Sequence, residues 1–313
     1  MNHTVLPIKV SVLVITYNHA NFIRQSLDSV LMQEVTFTYE ILISEDCSTD
    51  GTREIVEEYY QQFPQKIHLL LSGQNIHSNA VVARGIKAAK GEYIALLDGD
   101  DYWTSPHKLQ KQADFLENHP ECSMCFHNAR VFYEDSSKPH WNWTPAHQKE
   151  FSTLEEIWMG NFIATCSTMF RNGLFGDVPD WYEALFPITD WPLHILNAER
   201  GKIGYINEVM GAYRHHSGGQ YSPYSQREKL QNNLQFYRQM NVNLNYKYDR
   251  LIKIAISKYF YEWAEEYIKR GDVASAKYCF RHCLTGKPIN KFISLKKLLK
   301  TGLKLYLPQF VIL

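Results

Sequence analysis

The feature that most constrains the fold of this chain is a regular alternation of short apolar strands with amphipathic helices. Residues 10–15 (VSVLVI) form a largely β-branched run without regular polar alternation, which is typical of a parallel strand buried on both faces. The alternation continues with helices at 20–32, 53–63 and 80–89 and strands at 39–44, 67–71 and 93–97. It predicts an α/β fold with a mostly parallel, Rossmann-like central sheet flanked by helices, and with functional loops at the carboxyl ends of the strands.

Charge and cysteine content narrow the class of protein. The 313 residues carry 33 Lys and Arg against 33 Asp and Glu, so no basic excess favours nucleic acid as a partner. Six scattered cysteines do not suggest a disulfide framework, and the N-terminal apolar run is interrupted by Pro7 and Lys9. We therefore expect a cytoplasmic protein, peripheral at most to the cytoplasmic face of the inner membrane.

The character of the sequence changes after residue 222, which predicts one domain over 1–222 and a helical C-terminal region over 223–313. Two amphipathic helices are predicted within 251–284, on either side of Gly271. Residues 287–313 contain six lysines, no acidic residue and many leucines. Such a basic amphipathic tail is typical of an interfacial membrane anchor, and equally of a docked helix with a solvated lysine face.

Three carboxylates follow the predicted strand at 93–97 directly. Asp98, Asp100 and Asp101 surround Gly99, and charges so close repel each other unless a cation lies among them. Mn²⁺ or Mg²⁺ bound by one or two carboxylates and by substrate phosphate oxygens would relieve that repulsion. The alternative is a solvated turn whose carboxylates cap the following helix.

A second group of polar residues ends the first two strands. Thr16, Tyr17 and Asn18 follow the first strand, and Glu45 and Asp46 follow the second. Neighbouring parallel strands place such loops side by side, where a nucleotide binds in doubly wound sheets. The acidic residues could instead make local turns around a glycine.

Taken in order, the segments VSVLVITYNHANFIRQSL, YEILISEDCSTDGT and GEYIALLDGDDYW resemble the inverting, metal-dependent family 2 glycosyltransferases of GT-A fold, over residues 8 to about 222. The resemblance implies that Thr16, Asn18 and Asp46 contact the nucleoside of a nucleotide diphosphate sugar. It implies that Asp98, with Asp100 or Asp101, holds the metal and diphosphate beside Gly99.

The chain departs from the family pattern at one place. Members often carry Arg-Asn shortly before the glycine equivalent to Gly85, whereas Val82 and Ala83 stand here. Arg84 is the candidate substitute for the donor contact.

Two further segments gain meaning from the resemblance. The segment FPITDWPL is similar to the acceptor-side motif of the family, which makes Asp190 the candidate general base. The segment YRHHSGG resembles the part that closes over the diphosphate, with His216 as the better-aligned metal or phosphate ligand. Without the resemblance, an ordinary helix-capping aspartate and an ordinary surface histidine explain these residues.

The resemblance implies transfer of a hexose or N-acetylhexosamine, favouring a UDP-linked donor, to a hydroxyl of a glycan or lipid-linked glycan in cell-surface polysaccharide or lipopolysaccharide synthesis. A catalytically silent scaffold that binds through its C-terminal helices is the alternative. A glycine-rich turn after the first strand, typical of nucleotidyltransferases and NAD-dependent oxidoreductases, is absent from the sequence.

The Cys122-x-x-Cys125 pair lies on a predicted strand, which favours buried thiols over a metal site.

Overall fold

A computed structural model of the chain describes residues 7–220, 224–286 and 288–307. The chain divides into two compact units, one formed by 1–154 and 162–228 and the other by 155–161 and 229–313. The division after 228 lies close to the predicted one after 222. The sequence does not predict that 155–161 joins the second unit.

A single sheet organises the first unit. Its strands are β1 (Ile8–Thr16), β2 (Thr38–Glu45), β3 (Ile67–Leu71), β4 (Tyr93–Asp98), β5 (Tyr102–Trp103), β6 (Cys122–Tyr133), β7 (Trp141–Asn142), β8 (Phe151–Ser152), β9 (Thr168–Arg171) and β10 (Lys202–His215). They lie in the order β3-β2-β1-β4-β9-β6-β10-β5, with β7 beside β6 and β8 beside β10. The β3-β2-β1-β4 and β6-β10 neighbours run parallel, and β9 joins these two sets in the antiparallel sense.

Ten α-helices are present in the described ranges. They are α1 (Ile23–Leu31), α2 (Thr52–Gln62), α3 (Ala80–Ala88), α4 (Lys108–Asn118), α5 (Leu154–Trp158), α6 (Asp190–Ala198), α7 (Gln226–Asn243), α8 (Asp249–Lys269), α9 (Val273–Thr285) and α10 (Leu295–Tyr306). The alternation of strands and helices up to β4 confirms the predicted α/β class. Each predicted element up to that point lies within about three residues of its observed bounds.

Strand β1 forms the centre of the core because both of its faces are covered. Val10, Val12, Leu13 and Val14 have no exposed surface, as expected for a parallel strand between helical layers. Helix α3 lies directly against this strand, since a β-carbon at Gly85 would be 2.2 Å from Cδ1 of Leu13. The glycine is therefore required for the packing of α3 on the sheet.

The second unit contains the predicted helix pair. Helices α8 and α9 are joined at Gly271, whose φ of 78° is the left-handed conformation that glycine adopts at low cost. Asp272 then caps α9 by accepting a hydrogen bond from the Ser275 backbone N–H at 3.0 Å. Among the described residues, no helix is both long enough and apolar enough to cross a bilayer.

The cysteines are free thiols, and most are inaccessible. Cys47 is partly exposed, whereas the other five are buried: Cys122, Cys125, Cys166, Cys279 and Cys283. Burial raises the pKa of the Cys122 thiol to about 11 and that of Cys125 to about 12. The prediction that Cys122 and Cys125 are buried thiols is confirmed.

Lys108, at the start of α4, is a lysine without exposed surface. Its Nζ lies 3.9 Å from the centre of the Trp103 ring and makes no hydrogen bond within the described part of the chain. Burial lowers the pKa of Lys108 to about 7. Between that pH and the ordinary lysine pKa of about 10.4, the unfolded chain therefore binds a proton that the folded chain does not.

We predict that Lys108→Met raises the free energy of unfolding near pH 7 by on the order of 4 kcal/mol, because it removes the cost of deprotonating a lysine on folding. The gain is expected to shrink toward pH 10, since the unfolded wild-type chain then loses the same proton. Urea unfolding at both pH values measures it. An equal effect at the two pH values would contradict this explanation.

Candidate active site

The carboxyl ends of β2, β1 and β4 lie side by side and form one polar edge of the sheet. Two backbone hydrogen bonds join the loops there: Asp46 N–H donates to the Thr16 carbonyl at 3.1 Å, and Gly99 N–H donates to the Ile15 carbonyl at 2.8 Å. A β-carbon at Gly99 would lie 2.6 Å from Oγ1 of Thr16 and 2.9 Å from Nδ1 of His19. Glycine is therefore needed for the turn after β4 to meet the loop after β1.

The loop after β1 is tied to the loop after β2. Asn18 adopts a left-handed conformation (φ 55°), and its Oδ1 accepts a hydrogen bond from the Thr49 N–H at 2.8 Å. Its own N–H donates to Oγ of Ser48 at 2.9 Å. Tyr17 is 37% exposed, and its ring lies edge-on to His77. Tyr17 thus offers an aromatic surface at this edge, while the Asn18 amide fixes the loops.

The two acidic residues after β2 have different environments. Oδ1 of Asp46 accepts hydrogen bonds from the Ser72 hydroxyl at 2.9 Å and from the Ile76 N–H at 3.1 Å. Glu45 is fully buried, forms an ion pair with Arg53, and accepts from the Ser48 N–H. The structure therefore directs Glu45 toward Arg53, whereas Asp46 is held by residues that follow β3.

Arg84, the candidate substitute on α3, also points inward. Its guanidinium donates to the hydroxyls of Ser44 and Ser72 at 2.8 Å and to the Glu45 carbonyl at 2.9 Å. Burial lowers the pKa of Arg84. The Arg84 side chain therefore stabilises the loop that carries Asp46 from inside the protein.

The most compact group of ligating atoms consists of His19, Asp100 and His216. Nε2 of His216 lies 3.0 Å and Nε2 of His19 lies 3.6 Å from Oδ2 of Asp100. All three ligating atoms lie within 4.8 Å of one another. The Thr16 hydroxyl is 3.3 Å from Nδ1 of His19, which orients the other ring nitrogen toward Asp100.

The electrostatics of this group suit a cation. Burial lowers the pKa of His19 and so favours the neutral imidazole, the form that ligates metals. Burial raises the pKa of Asp100, but the two histidines together lower it by more. The pKa therefore lies below its usual value, and the carboxylate stays ionised. Two imidazole nitrogens and one carboxylate oxygen at this spacing fit a divalent transition ion. They favour Mn²⁺ over Mg²⁺, which prefers oxygen ligands.

The other two aspartates of the turn are separate from this group. Asp101 is 2% exposed, and its Oδ1 accepts from the Arg214 N–H at 2.8 Å. Burial raises the pKa of Asp101 well above its usual value, and the neighbouring Asp100 and Asp98 add to this shift. Burial also raises the pKa of Asp98 well above its usual value, with further contributions from Asp100 and Asp190. Sequence reasoning grouped three aspartates with His216, whereas the structure groups Asp100 with two histidines.

His19 is the residue that sequence reasoning missed. It stands three positions after Thr16, at the edge that also carries the Asp-x-Asp turn, and this position was the available signal. His216 was predicted, and the structure places it beside Asp100. Its neighbour His215 stacks on the ring of Tyr133, with 4.8 Å between centroids.

Asp190 is the first residue of α6 and lies near the Asp98 carboxylate. The Thr165 hydroxyl donates a hydrogen bond to Oδ2 of Asp190 at 3.2 Å. Asp190 is also near enough to Asp98 to raise the pKa of that carboxyl. Nε2 of the fully buried His194 lies 3.7 Å from the same Asp190 oxygen. The Trp191 N–H donates to Oδ1 at 2.7 Å. The candidate base therefore lies near the edge that carries the Asp-x-Asp turn.

The mixed, mostly parallel sheet with this edge places the chain in the GT-A class of α/β folds. The family model of glycosyl transferase family 2 matches residues 11–175, more than half of the chain. The protein therefore belongs to glycosyl transferase family 2.

Relatives of this chain occur in several bacteria. The Mycobacterium tuberculosis protein Rv1520 is 38% identical over 222 residues, which is 70% of this chain and 63% of that protein. The chain thus spans less than two thirds of the length of this relative. The putative teichuronic acid biosynthesis glycosyltransferase TuaG of Bacillus subtilis is 36% identical over 130 residues, covering 41% of this chain and 49% of TuaG.

Solved structures support the fold assignment. The mannosyltransferase PcManGT of Pyrobaculum calidifontis, in complex with GDP-Man and Mn²⁺, superposes with a TM-score of 0.57 at 18% identity, covering 98% of this chain and 84% of that one. Staphylococcus aureus TarS in complex with UDP-GlcNAc gives a TM-score of 0.54 at 18% identity, covering 87% and 90%. At these identities the likeness shows the fold alone.

We predict that Mn²⁺ binds this protein in the absence of a nucleotide. Asp100→Asn should abolish this binding, because the carboxylate is the charged ligand of the group. His19→Ala and His216→Ala should each weaken binding by about tenfold or more. Electron paramagnetic resonance of free Mn²⁺ during titration measures the affinity. The matched control is His107→Ala, which removes an exposed histidine directly before α4 and should leave Mn²⁺ binding unchanged.

If Mn²⁺ binding survives both histidine substitutions and is lost in Asp98→Asn, the cation lies on the aspartates and the grouping proposed here is wrong.

Proposed function

We propose that this protein is an inverting glycosyltransferase that moves a hexose or N-acetylhexosamine from a nucleotide diphosphate sugar to a hydroxyl of a glycan or lipid-linked glycan. The observation that carries the proposal is that Asp190 lies near Asp98, in the same turn as Asp100, which forms a cluster with His19 and His216. A base and a diphosphate-binding edge on one site are what displacement at an anomeric carbon requires.

The nucleoside is assigned to the loops after β1 and β2. Thr16, Tyr17, Asn18 and Asp46 line this edge, and the exposed ring of Tyr17 can stack on a base. A UDP-linked donor is favoured because TarS, a relative named as a β-N-acetylglucosaminyltransferase, has been solved with UDP-GlcNAc. PcManGT was solved with GDP-Man, so GDP is the competing donor nucleotide.

His19, Asp100 and His216 are the residues that would hold a divalent cation, with Mn²⁺ favoured by their nitrogen donors. When bound, the cation neutralises charge on the departing diphosphate. The chain supplies the orientation: Thr16 fixes the His19 ring, and Gly99 lets the turn after β4 approach it.

Asp190 is the proposed general base. The acceptor hydroxyl oxygen bonds to the anomeric carbon from the face opposite the diphosphate, the bond from that carbon to the diphosphate oxygen breaks, and the hydroxyl proton moves to the Asp190 carboxylate. Attack from the opposite face inverts the anomeric configuration. The Thr165 hydroxyl and the Trp191 N–H orient the carboxylate for this step.

The proposed cellular role depends on the class of acceptor. We propose cell-surface polysaccharide or lipopolysaccharide synthesis at the cytoplasmic face of a membrane, since TuaG is named for teichuronic acid biosynthesis. The competing proposal is a catalytically silent GT-A scaffold. It predicts nucleotide binding without transfer, or no nucleotide binding at all.

We predict that Asp190→Asn lowers kcat about 10²- to 10⁴-fold while donor affinity stays near that of the wild type, because the amide cannot accept the acceptor proton. Turnover of the nucleotide sugar, together with donor titration, separates the two effects. The matched control is Asp180→Asn, an exposed aspartate that also begins a helical turn and should keep full activity. An unchanged kcat in Asp190→Asn would remove this residue from the mechanism.

We predict that UDP with Mn²⁺ raises the melting temperature and that EDTA removes the increase. At about 100 times Kd, a ligand of the native state adds about 2.7 kcal/mol to the free energy of unfolding. GDP, dTDP and CMP in the same screen test the donor class. A larger shift with GDP would replace UDP in the proposal, and no shift with any nucleotide in folded protein would favour the silent scaffold.

A further inference from the structure

Helix α10 of the second unit has two apolar faces, and one of them is covered. Leu298, Thr301 and Leu305 are at most 5% exposed and belong to the side that packs within the unit. Oγ1 of Thr301 lies 3.2 Å from the Tyr261 hydroxyl and is hydrogen-bonded to Glu265. This face docks α10 on α8, which accounts for one of the two roles predicted for the tail.

The other apolar face is exposed. Leu295, Leu299 and Leu303 follow one another at intervals of four residues and therefore form one stripe along the helix. They are 54%, 59% and 42% exposed, and Tyr306, at 42%, continues the stripe. Four large apolar side chains in a contiguous row indicate an interaction surface rather than scattered surface residues.

Basic side chains border this stripe on one side. Lys296 and Lys300 occupy the neighbouring sector of the helix, are exposed, and form no ion pair with any residue in the described ranges. Lys304, further around the helix, differs because it pairs with Glu265 at 3.6 Å. The two lysines next to the stripe are thus available to an external partner.

Helix α9 supplies basic side chains at the end of the stripe. Nζ of Lys277 lies 5.1 Å from the centre of the Tyr306 ring, and Nε of Arg281 donates to the Tyr306 hydroxyl at 3.3 Å. The sequence of α10 contains no acidic residue. The surface therefore combines apolar side chains with charges of a single sign.

We propose that this surface, the α10 face (Leu295, Leu299, Leu303 and Tyr306 with Lys277, Arg281, Lys296 and Lys300), docks on an anionic lipid bilayer. A helix whose exposed leucines are bordered by lysines lies in a membrane interface with the leucines among the acyl chains and the lysines at the headgroups. A bilayer fits better than a folded protein because the face offers only apolar contacts and positive charge. The sequence after α10 adds further apolar residues, including Phe310 and Val311.

The test is flotation of the full chain with vesicles. We expect binding to vesicles of phosphatidylcholine mixed with phosphatidylglycerol, much weaker binding to phosphatidylcholine alone, and release by high salt. Lys296→Gln/Lys300→Gln should weaken binding to the anionic vesicles roughly 25-fold, at about fivefold for each lysine. Leu299→Gln/Leu303→Gln should weaken it at least about tenfold.

Two controls keep the result interpretable. Leu71→Gln removes a leucine of β3 that is as exposed as Leu303, at 42%, and should leave vesicle binding unchanged. Circular dichroism of each variant checks that the helices stay folded. If the wild type fails to float with anionic vesicles, or if the α10 variants bind as well as the wild type, the proposal is wrong. If the wild type does not float but forms dimers, and if Leu299→Gln/Leu303→Gln dissociates those dimers, the partner of this face is a second copy of the chain.

Docking of the α10 face on a bilayer does not depend on the proposed reaction. Nucleotide binding and transfer to a soluble acceptor report on the first unit, whereas flotation reports on the α10 face. If the chain floats with anionic vesicles but transfers no sugar, the docking of the α10 face is supported and the proposed reaction is wrong.

Discussion

The site depends on how the protein accommodates three carboxylates at the end of one buried strand. Asp98, Asp100 and Asp101 each have a different environment. Asp100 is flanked by two imidazoles, Asp101 accepts the Arg214 N–H, and burial together with its acidic neighbours raises the pKa of Asp98. These environments require that β10 return beside the turn, because the last residues of β10 and the residue after it supply Arg214 and His216. The long β10 strand is thus as necessary to the site as the Asp-x-Asp turn itself.

Periodicity was sufficient to predict the sheet edge but not the directions of its side chains. The ends of β1, β2 and β4 follow from apolar runs and the loops that interrupt them, so their residues were placed correctly at one edge. Glu45 turns toward Arg53 on α2, and Arg84 turns toward hydroxyls of β2 and of the residue after β3. Motif spacing contains no information on such contacts. His19 was missed for a related reason, since its proximity to His216 depends on a strand almost two hundred residues away.

The second unit shows another limit of sequence reasoning. Its helix pair was predicted from amphipathic spacing, but the segment 155–161 joins it from within the sequence of the first unit. Trp158 is fully buried there, and its carbonyl accepts a hydrogen bond from the Tyr237 hydroxyl at 2.9 Å. For α10 the sequence left docking and anchoring as alternatives. One face of the helix is buried within the unit and the other is exposed, so docking of the helix does not exclude the proposed membrane contact.

The distribution of thiols has a practical consequence. Five cysteines are buried, whereas Cys47 is partly exposed, adopts a left-handed conformation (φ 59°) and directly follows Asp46. A maleimide fluorophore would therefore react at a single natural position, in the loop assigned to the nucleoside. The wild-type chain thus carries its own attachment point for an optical reporter of donor occupancy, and no cysteine needs to be removed or introduced to use it.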